Sequence, residues 1–282
     1  MANIIALLTD FGLEDTYVGV MKGVILKIFS DARLIDISHA IRPQNVREGA
    51  FALMNSYSYF PEGTTFCVVI DPGVGSTRLP IAVKTEKYQF VAPDNGVLSY
   101  ALSLMDSDYQ VVALENLDYQ LPNVSNTFHG RDIFSPAAAY IARGDVSVTD
   151  FGRTVDRMFT FPTPQMSFSN NRLVGEVMHI DHFGNIITNI GRFSWIGEGQ
   201  LELDPLWNSD ISRMMIDPED VNITIHSNTL HSISHAYHEV NRGEILVQID
   251  SSGFLEIGAN QDNAAGRLDV VIGDKVMLKL SD

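Results

Sequence analysis

The chain has 282 residues, of which 45% are hydrophobic and 19% are charged. This balance is typical of a globular protein and excludes a disordered chain, which would be poorer in apolar residues. The 19 Lys and Arg residues against 35 Asp and Glu residues give a formal net charge of −16, without a run of basic residues. That charge disfavours nucleic acids and anionic membrane surfaces as partners.

The cysteine content and the apolar segments indicate the cellular compartment in which the protein is expected. Cys67 is the only cysteine, so no intramolecular disulfide can form, as is usual in a reducing compartment. It lies in the apolar run 65–70, and we interpret it as a buried core residue rather than a nucleophile. No apolar stretch reaches the roughly 18–20 residues of a membrane span, and the first residues lack the basic region of a signal peptide. We therefore expect a cytoplasmic protein.

The first part of the chain, residues 1–160, alternates strand and helix patterns. Apolar runs predict strands at residues 3–8, 34–37, 65–70, 81–85, 89–92 and 110–114. Helical spacing of apolar residues predicts helices at 17–29, 46–59, 95–104 and 133–142. This alternation predicts an α/β domain whose mostly parallel sheet is covered by helices.

The composition changes after residue 160. Residues 161–171 contain two prolines and many polar residues, and we interpret them as a linker. Beyond them, short strands are predicted at 173–180, 186–190, 221–225, 244–249, 254–257 and 275–280, with one helix near 233–240. Residues 172–282 are therefore predicted to form a smaller all-β, barrel-like domain.

Polar side chains follow the predicted strands of the first domain, where α/β sheets place their ligands. The first such loop is Thr9-Asp10-Phe11-Gly12. The carboxylate of Asp10 can accept two hydrogen bonds from a ribose diol. On this motif alone, a turn in which Asp10 caps the following helix is the better interpretation.

Two further loops of this domain carry charged or titratable groups. Residues 71–78 read DPGVGSTR and lack the ending of a phosphate-binding loop. Asp71 and Arg78 either act on a ligand or form an ordinary ion pair across a tight turn. Residues 128–132 read FHGRD at the start of a helix. His129 there is either a base or hydrogen-bond donor, or a solvated residue at a helix start.

In the second domain, residues 181–185, 251–254 and 260–265 are amide- and serine-rich turns that either read a nucleobase or are ordinary β-turns. The spacing of His231, His235 and His238 places them on one face of the predicted helix. Glu239 falls off that face and no cysteine is near, so we predict exposed histidines and no metal site.

Taken together, the motifs resemble one family, the S-adenosylmethionine hydroxide adenosyltransferases, which are related to the fluorinase and the chlorinase. The resemblance covers almost the whole chain. Its segments, in order, are LLTDFGLEDTYVGVMKGVI, VIDPGVGSTR, VAPDNGVLS, FHGRDIFSPAAAYIA, IDHFGNIITNI and SSGFLEIGANQDNAA. Several long motifs in the right order are far more specific than any one of them.

The resemblance implies a fold and an activity. Family members have an α/β domain followed by a β-barrel domain and assemble as homotrimers, with S-adenosylmethionine between domains of neighbouring subunits. They cleave it to adenosine and L-methionine with water or hydroxide, without a cofactor or a metal. The family's catalytic Asp–Arg–His set corresponds to Asp71, Arg78 and His129.

The resemblance also implies a set of binding residues. Asp10 would hold the ribose, and Ser251 and Ser252 would lie near the methionine carboxylate. The other implied binding residues are Phe11, Phe128, Gly130, Asp181, Phe183, Asn185, Asn260, Asn263 and Ala264. Ser252 departs from the fluorinase, which has arginine there, so the carboxylate needs another partner.

Two alternative functions remain at this point. The halogenating relatives replace the His-Gly pair by Tyr-Ser and change the Asp-Pro-Gly turn, whereas His129-Gly130 and residues 71–73 follow the hydrolase pattern. This difference disfavours halide-dependent adenosyl transfer. The other alternative is a non-catalytic sensor of S-adenosylmethionine or a nucleoside, which would use the same binding loops.

Overall fold

The computed structural model describes residues 3–105, 107–197 and 199–280. The chain forms two compact units, the first ending at Phe161 and the second beginning at Pro162. Within the described ranges, no helix is both long enough and apolar enough to cross a membrane.

The first unit contains a six-stranded sheet. Its strands are β1 (Ile4–Thr9), β2 (Arg33–Ser38), β3 (Thr65–Val69), β4 (Pro80–Lys84), β5 (Gln89–Pro93) and β6 (Gln110–Ala113), in the order β2-β1-β3-β5-β4-β6. The β2-β1-β3-β5 part is parallel, but β4 is antiparallel to both β5 and β6. The prediction of a mostly parallel sheet is therefore correct only in part. The connection at residues 85–88 is too short for a crossover helix, so β4 and β5 form a hairpin.

Helices cover both faces of this sheet. They are α1 (Tyr17–Ile28), α2 (Val46–Ser56), α3 (Ser99–Ser103) and α4 (Ser135–Arg143). Successive residues of a strand point to opposite faces. Leu7 therefore packs with Met21 of α1 and with α4, whereas Leu8 packs with Leu53 of α2 and with α3. Cys67 lies in the α1–α4 core, as predicted, and burial raises the pKa of its thiol to about 12.

Two predicted helices of the first unit have irregular ends. The predicted helix 46–59 is α2 followed by a 3₁₀ turn at Tyr57–Tyr59. The predicted helix 133–142 is α4 preceded by a π-helical turn at Gly130–Phe134. The hydroxyl of Ser135 donates a 2.7 Å hydrogen bond to the carbonyl of Gly130 in that turn. π turns often occur at functional sites.

The second unit is mainly antiparallel β-structure. Its strands are β7 (Ser167–Ser169), β8 (Arg172–Ile180), β9 (Ile186–Thr188), β10 (Arg192–Ile196), β11 (Gln200–Asp204), β12 (Met214–Ile216), β13 (Val221–Ile225), β14 (Asn228–His231), β15 (Ile245–Ile249), β16 (Leu255–Ala259) and β17 (Lys275–Leu280). One sheet has the order β14-β13-β17-β8-β9-β16-β15, with β7 also paired to β8, and β10-β11-β12 form another. A bridge between Ser234 and Gln248 brings the chain after β14 against β15, so the larger sheet is nearly closed.

Three local predictions for this part of the chain differ from the structure. The helix near 233–240 is wrong: the segment has only a 3₁₀ turn at Tyr237–Glu239, because Ser234 instead pairs with the sheet. His231 lies in β14, so the histidines share no helical face. Part of the predicted linker is strand β7, and the short helix α5 (Ala264–Leu268) was not predicted.

Candidate active site

The candidate site of the first unit lies at one edge of its sheet. Thr9 and Val69 are register partners on the parallel strands β1 and β3. The loops that begin at Asp10 and Asp71 therefore leave the sheet side by side, at the carboxyl ends of the strands. This is where α/β proteins place their ligand sites.

Asp71, Arg78 and His129 are joined by hydrogen bonds at this edge. Nε of Arg78 donates to Oδ1 and Oδ2 of Asp71 at 2.9 and 3.0 Å, and Nη2 of Arg78 also donates to Oδ2. The same Nη2 lies 2.7 Å from Nδ1 of His129. The side chains of Arg78 and Asp71 are only 9% and 5% exposed, so this pair is well shielded from water.

The contact with Arg78 determines the protonation of His129. A guanidinium can only donate, so Nδ1 of His129 accepts and the neutral ring carries its proton on Nε2. Burial and the positive charge of Arg78 lower the pKa of His129, although Asp71, Asp132 and a hydrogen bond to the Ser125 backbone oppose this. His129 is therefore a neutral hydrogen-bond donor at pH 7.

The loop that carries His129 is held by a buried carboxylate. The side chain of Asp132 is fully buried and accepts hydrogen bonds from Nε of Arg131 at 2.6 Å and from the backbone of Ser125 at 2.8 Å. Ser125 Oγ in turn accepts from the backbone of Phe128 at 3.0 Å. These bonds fix the chain on the N-terminal side of His129.

Asp10 lies close to this cluster. It is half-buried, and its Oδ2 accepts a 2.7 Å hydrogen bond from the backbone of Gln44. Burial raises the pKa of Asp10, the Gln44 bond lowers it, and the charge of Asp71 raises it further, with a net increase. The two carboxylates are thus near enough to repel each other.

Aromatic side chains pack beside Asp10. The ring centroids of Phe11 and Phe128 are 5.9 Å apart, and Tyr17 lies 5.8 and 5.1 Å from the two rings. A Cβ on Gly130 would lie 3.2 Å from the ring of Phe11 and from Sδ of Met21. The structure therefore brings Asp10, Phe11, Phe128 and Gly130 together near the Asp71–Arg78–His129 cluster.

In the second unit, Asp181 organises a tight turn. Its Oδ1 accepts from the backbones of Phe183 and Asn185 at 2.8 Å, and its Oδ2 accepts from Nδ2 of Asn185 at 2.9 Å. Phe183 is 72% exposed. The side chain of Asn263 packs against Gly184, and the backbone of Gly184 accepts from Ala265, so Asn263 and Ala264 adjoin this turn.

Ser251, Ser252 and Asn260 have different local contacts. Ser252 is hydrogen-bonded to Asp250 in the β15–β16 turn, in which Ser251 is exposed. Nδ2 of Asn260 donates to the carbonyl of Val240. Among the described residues, none of the three is hydrogen-bonded to the 181–185 turn.

A buried polar cluster beside Asn185 was missed by the sequence analysis. Oε1 of Glu256, a residue only 5% exposed, accepts from the hydroxyl of Tyr237 at 2.5 Å and from Nε2 of Gln248 at 2.7 Å. Burial raises the pKa of Glu256 despite these bonds. A Cβ on Gly258 would lie 2.8 Å from the Tyr237 ring and 3.2 Å from Oδ1 of Asn185. The alternation of β16 was the available signal, because Leu255 and Ile257 face the core and Glu256 must point away.

The described residues hold no group of three or more His, Cys, Asp or Glu side chains arranged to bind a metal ion. Several histidines of the second unit have other contacts. His226 pairs with Asp274 at 2.9 Å, His231 lies 2.5 Å from Oδ1 of Asn222, and His235 stacks on Trp195.

Comparison with protein-family models identifies both units. Residues 5–152 match the model described as the SAM hydroxide adenosyltransferase N-terminal domain. Residues 175–277 match the model of the C-terminal domain of the same family.

Individual relatives are similar over nearly the full length. The chain is 34% identical to an (R)-S-adenosyl-L-methionine hydrolase of Salinispora tropica over 274 residues, which are 96% of each chain. It is 33% identical to the hydrolase of the same name from Methanocaldococcus jannaschii, covering 97% of this chain and 95% of the relative. A fluorinase of Actinopolyspora mzabensis is 30% identical over 67% of this chain and 72% of its own. The crystal structure of an uncharacterized conserved protein from Thermotoga maritima has a TM-score of 0.84 at 34% identity, covering 98% of this chain and 99% of that one.

Proposed function

Since the chain belongs to the S-adenosylmethionine hydroxide adenosyltransferase family, we propose that it hydrolyses S-adenosyl-L-methionine to adenosine and L-methionine. The observation that carries this proposal is the hydrogen-bonded Asp71–Arg78–His129 cluster beside Asp10. The cluster offers polar groups that can bind a nucleophile. The neighbouring carboxylate of Asp10 can bind a ribose. Relatives named (R)-S-adenosyl-L-methionine hydrolase match over the full length.

The proposed reaction is a displacement at the ribose C5′ carbon. A water oxygen forms the new bond to C5′ while the C5′–S bond breaks. The electron pair of the broken C5′–S bond stays on sulfur. The sulfonium becomes the neutral thioether of methionine, so the leaving group needs no acid. The water loses one proton to solvent as the 5′-hydroxyl forms. The reaction as written requires no cofactor and no metal.

The three residues have distinct proposed roles. Arg78 stabilises negative charge on the attacking oxygen, which favours hydroxide over water. His129 orients that oxygen, since its Nδ1 lone pair is occupied by Arg78 and its pKa is lowered by burial and by Arg78. Asp71 fixes the guanidinium by accepting from both of its edge nitrogens. Holding oxygen, carbon and sulfur in line can supply up to about 7–11 kcal/mol of the barrier reduction.

We assign the binding roles from the family resemblance, with local support. Asp10 binds the ribose diol, and Phe11, Phe128 and Gly130 shape the neighbouring surface. An exposed aromatic ring such as Phe183 can stack on a base. Asp181, Asn185, Asn260, Asn263 and Ala264 are assigned to the adenine and methionine parts, and Ser251 and Ser252 to the methionine carboxylate. We also propose a homotrimer that acts in the cytoplasm.

The test is incubation of the purified protein with S-adenosylmethionine, with and without chloride, followed by chromatography and mass spectrometry. Adenosine and methionine in equal amounts, independent of chloride, are expected. A 5′-chlorinated nucleoside would instead establish halide-dependent transfer. Binding measured by calorimetry without any product would establish a sensor and remove the catalytic roles from Asp71, Arg78 and His129.

A further inference from the structure

We propose that His39 is a positioning residue that holds the loop of residues 9–12, here called the Asp10 loop, in its substrate-binding conformation. This inference rests on the proposed function, because Asp10 is the ribose-binding residue of that proposal. His39 touches neither the Asp71–Arg78–His129 cluster nor, in this account, the substrate.

The ring of His39 links the buried hydroxyl of Thr9 to the carboxylate of Asp36, whose side chain is 40% exposed. Its Nδ1 lies 2.8 Å from Oγ1 of Thr9, and its Nε2 lies 3.0 Å from Oδ1 of Asp36. The N–H on Nε2 is poorly aligned with that carboxylate, so this second contact is mainly electrostatic. Lys22 completes the network, with Nζ 2.6 Å from the other oxygen of Asp36. Burial raises the pKa of Asp36, but the contacts with Lys22 and His39 outweigh it and lower the pKa overall.

In this network, each donor has one acceptor, from the backbone of Phe11 through the hydroxyl of Thr9 to the ring of His39. A carboxylate only accepts, so with a single ring proton on Nε2, facing Asp36, Nδ1 of His39 is an acceptor. The hydroxyl of Thr9 then donates to Nδ1 and accepts from the backbone of Phe11 at 3.3 Å. Thr9 is fully buried and His39 is 4% exposed. Loss of a hydrogen-bond partner at groups as buried as these is costly.

The backbone of the same segment also supports the Asp10 loop. The carbonyl of His39 accepts from the backbone of Gly12 at 2.8 Å. Gln44, whose φ is +66°, donates from its backbone to Oδ2 of Asp10 at 2.7 Å. His39 thus contacts the loop on both sides of Asp10, through Thr9 and Gly12, while the segment that it begins anchors the Asp10 carboxylate.

This arrangement predicts an effect on binding rather than on chemistry. Without the ring, Thr9 and the backbone of Phe11 lose their orientation, and Asp10 must be ordered when the substrate binds. Ordering on binding weakens affinity. The hydrogen bonds among Asp71, Arg78 and His129 do not involve His39 and are expected to persist.

The variants His39→Ala, His39→Asn and His39→Gln test the proposal. The amide of Asn can replace Nδ1 at Thr9, whereas Gln reaches toward Asp36 instead. We expect His39→Ala to raise the KM for S-adenosylmethionine about tenfold or more, with kcat within about threefold of the wild type. His39→Asn should recover most of the loss and His39→Gln little. His226→Ala is the matched control, because His226 also pairs with an aspartate but in the second unit.

A substrate-free readout separates this inference from the proposed function. Amide hydrogen exchange at Phe11, Gly12 and Gln44 should accelerate in His39→Ala and not in His226→Ala. Faster exchange in a protein that never cleaves S-adenosylmethionine would support the positioning role and overturn the proposed function. A folded His39→Ala protein with unchanged KM and unchanged exchange would overturn the positioning role, as would equal rescue by Asn and Gln.

Discussion

At His129, the hydrogen bond from Arg78 determines which ring nitrogen carries the proton and limits how readily the ring accepts another. Arg78 occupies Nδ1 and, together with burial, lowers the pKa of the ring. His129 is therefore a weaker base than an exposed histidine, and its role in the proposed reaction is to orient the nucleophile. In the proposed reaction, the positive charge of Arg78, rather than proton transfer to His129, favours hydroxide as the nucleophile.

The pH dependence of the reaction follows from these shifts. His129 and Asp10 both act in their deprotonated forms, so protonation of either reduces activity. We expect kcat/KM to decrease as the pH falls below the ordinary histidine pKa of about 6.5. Titration of His129 by NMR should give a pKa below 6.5 and a higher one in Arg78→Met. A value at or above 6.5 in the wild type would contradict this account.

Arg78 is not replaceable by lysine in this geometry. A lysine is a single point donor and cannot hold both oxygens of Asp71 while donating to His129. We expect Arg78→Lys to lower kcat by about 10²-fold or more, with substrate affinity changed only a few fold. Arg42→Lys is the control, because Arg42 pairs with Glu48 in the same unit but is mostly exposed. Equal effects of the two substitutions would remove Arg78 from the mechanism.

At the scale of elements, the site depends on how two loops approach each other. Gly75 has a φ of +74°, and a Cβ there would overlap the backbone oxygen of Asn126. Residue 75 lies between Asp71 and Arg78, and Asn126 lies in the loop before His129. Glycine at 75 therefore permits the approach that joins Arg78 to His129.

Substitution of this glycine should affect both stability and turnover. We expect Gly75→Ala to destabilise the fold by about 1–3 kcal/mol and to lower kcat more than about tenfold. Gly273 has a similarly positive φ of +96° but open space around it. Gly273→Ala should therefore cost only about 1 kcal/mol in thermal unfolding and leave kcat unchanged. A Gly75→Ala enzyme with normal kcat would show that the loop approach is not needed.

Local patterns predicted some elements well and others poorly. The buried runs of β1 and β3 and the apolar spacing of α1 each specify one conformation, and the structure has them. The segment 233–240 also has helical spacing, but pairing of Ser234 with β15 overrides it. The direction of β4 depends on a four-residue connection that the alternation of strands and helices does not reveal.

The candidate site was predictable to a similar extent. Asp71, Arg78 and His129 lie in recognisable motifs, and hydrogen bonds join their side chains in the structure. His39 and Glu256 have no motif of their own. The link from His39 to Thr9 spans thirty residues and depends on the pairing of β1 with β2, in which Leu8 lies opposite Ser38.

At the scale of the whole molecule, the two units differ in the kinds of candidate site residues that each contains. The first carries the Asp71–Arg78–His129 cluster and Asp10, and the second carries the amide-rich turns. Exposed apolar side chains also remain near the Asp10 loop, with Leu13 at 77% and Tyr17 at 46% exposure. Apolar groups of this kind are often covered in assemblies.

The proposed homotrimer is tested by light scattering after size-exclusion chromatography. We expect a mass three times that of the single chain, unchanged on dilution across the concentrations used for kinetics. A monomer of full activity would contradict the trimer and leave the proposed chemistry in place.

The most direct test of the central claim is a reaction in water enriched in heavy oxygen. Adenosine formed from S-adenosylmethionine should carry a single heavy oxygen atom, at the 5′ position and in proportion to the enrichment of the water, and methionine should carry none. Arg78→Lys should slow the appearance of this product without changing the position of the label. Adenosine without the label, or label found in methionine, would contradict attack of water on the C5′ carbon.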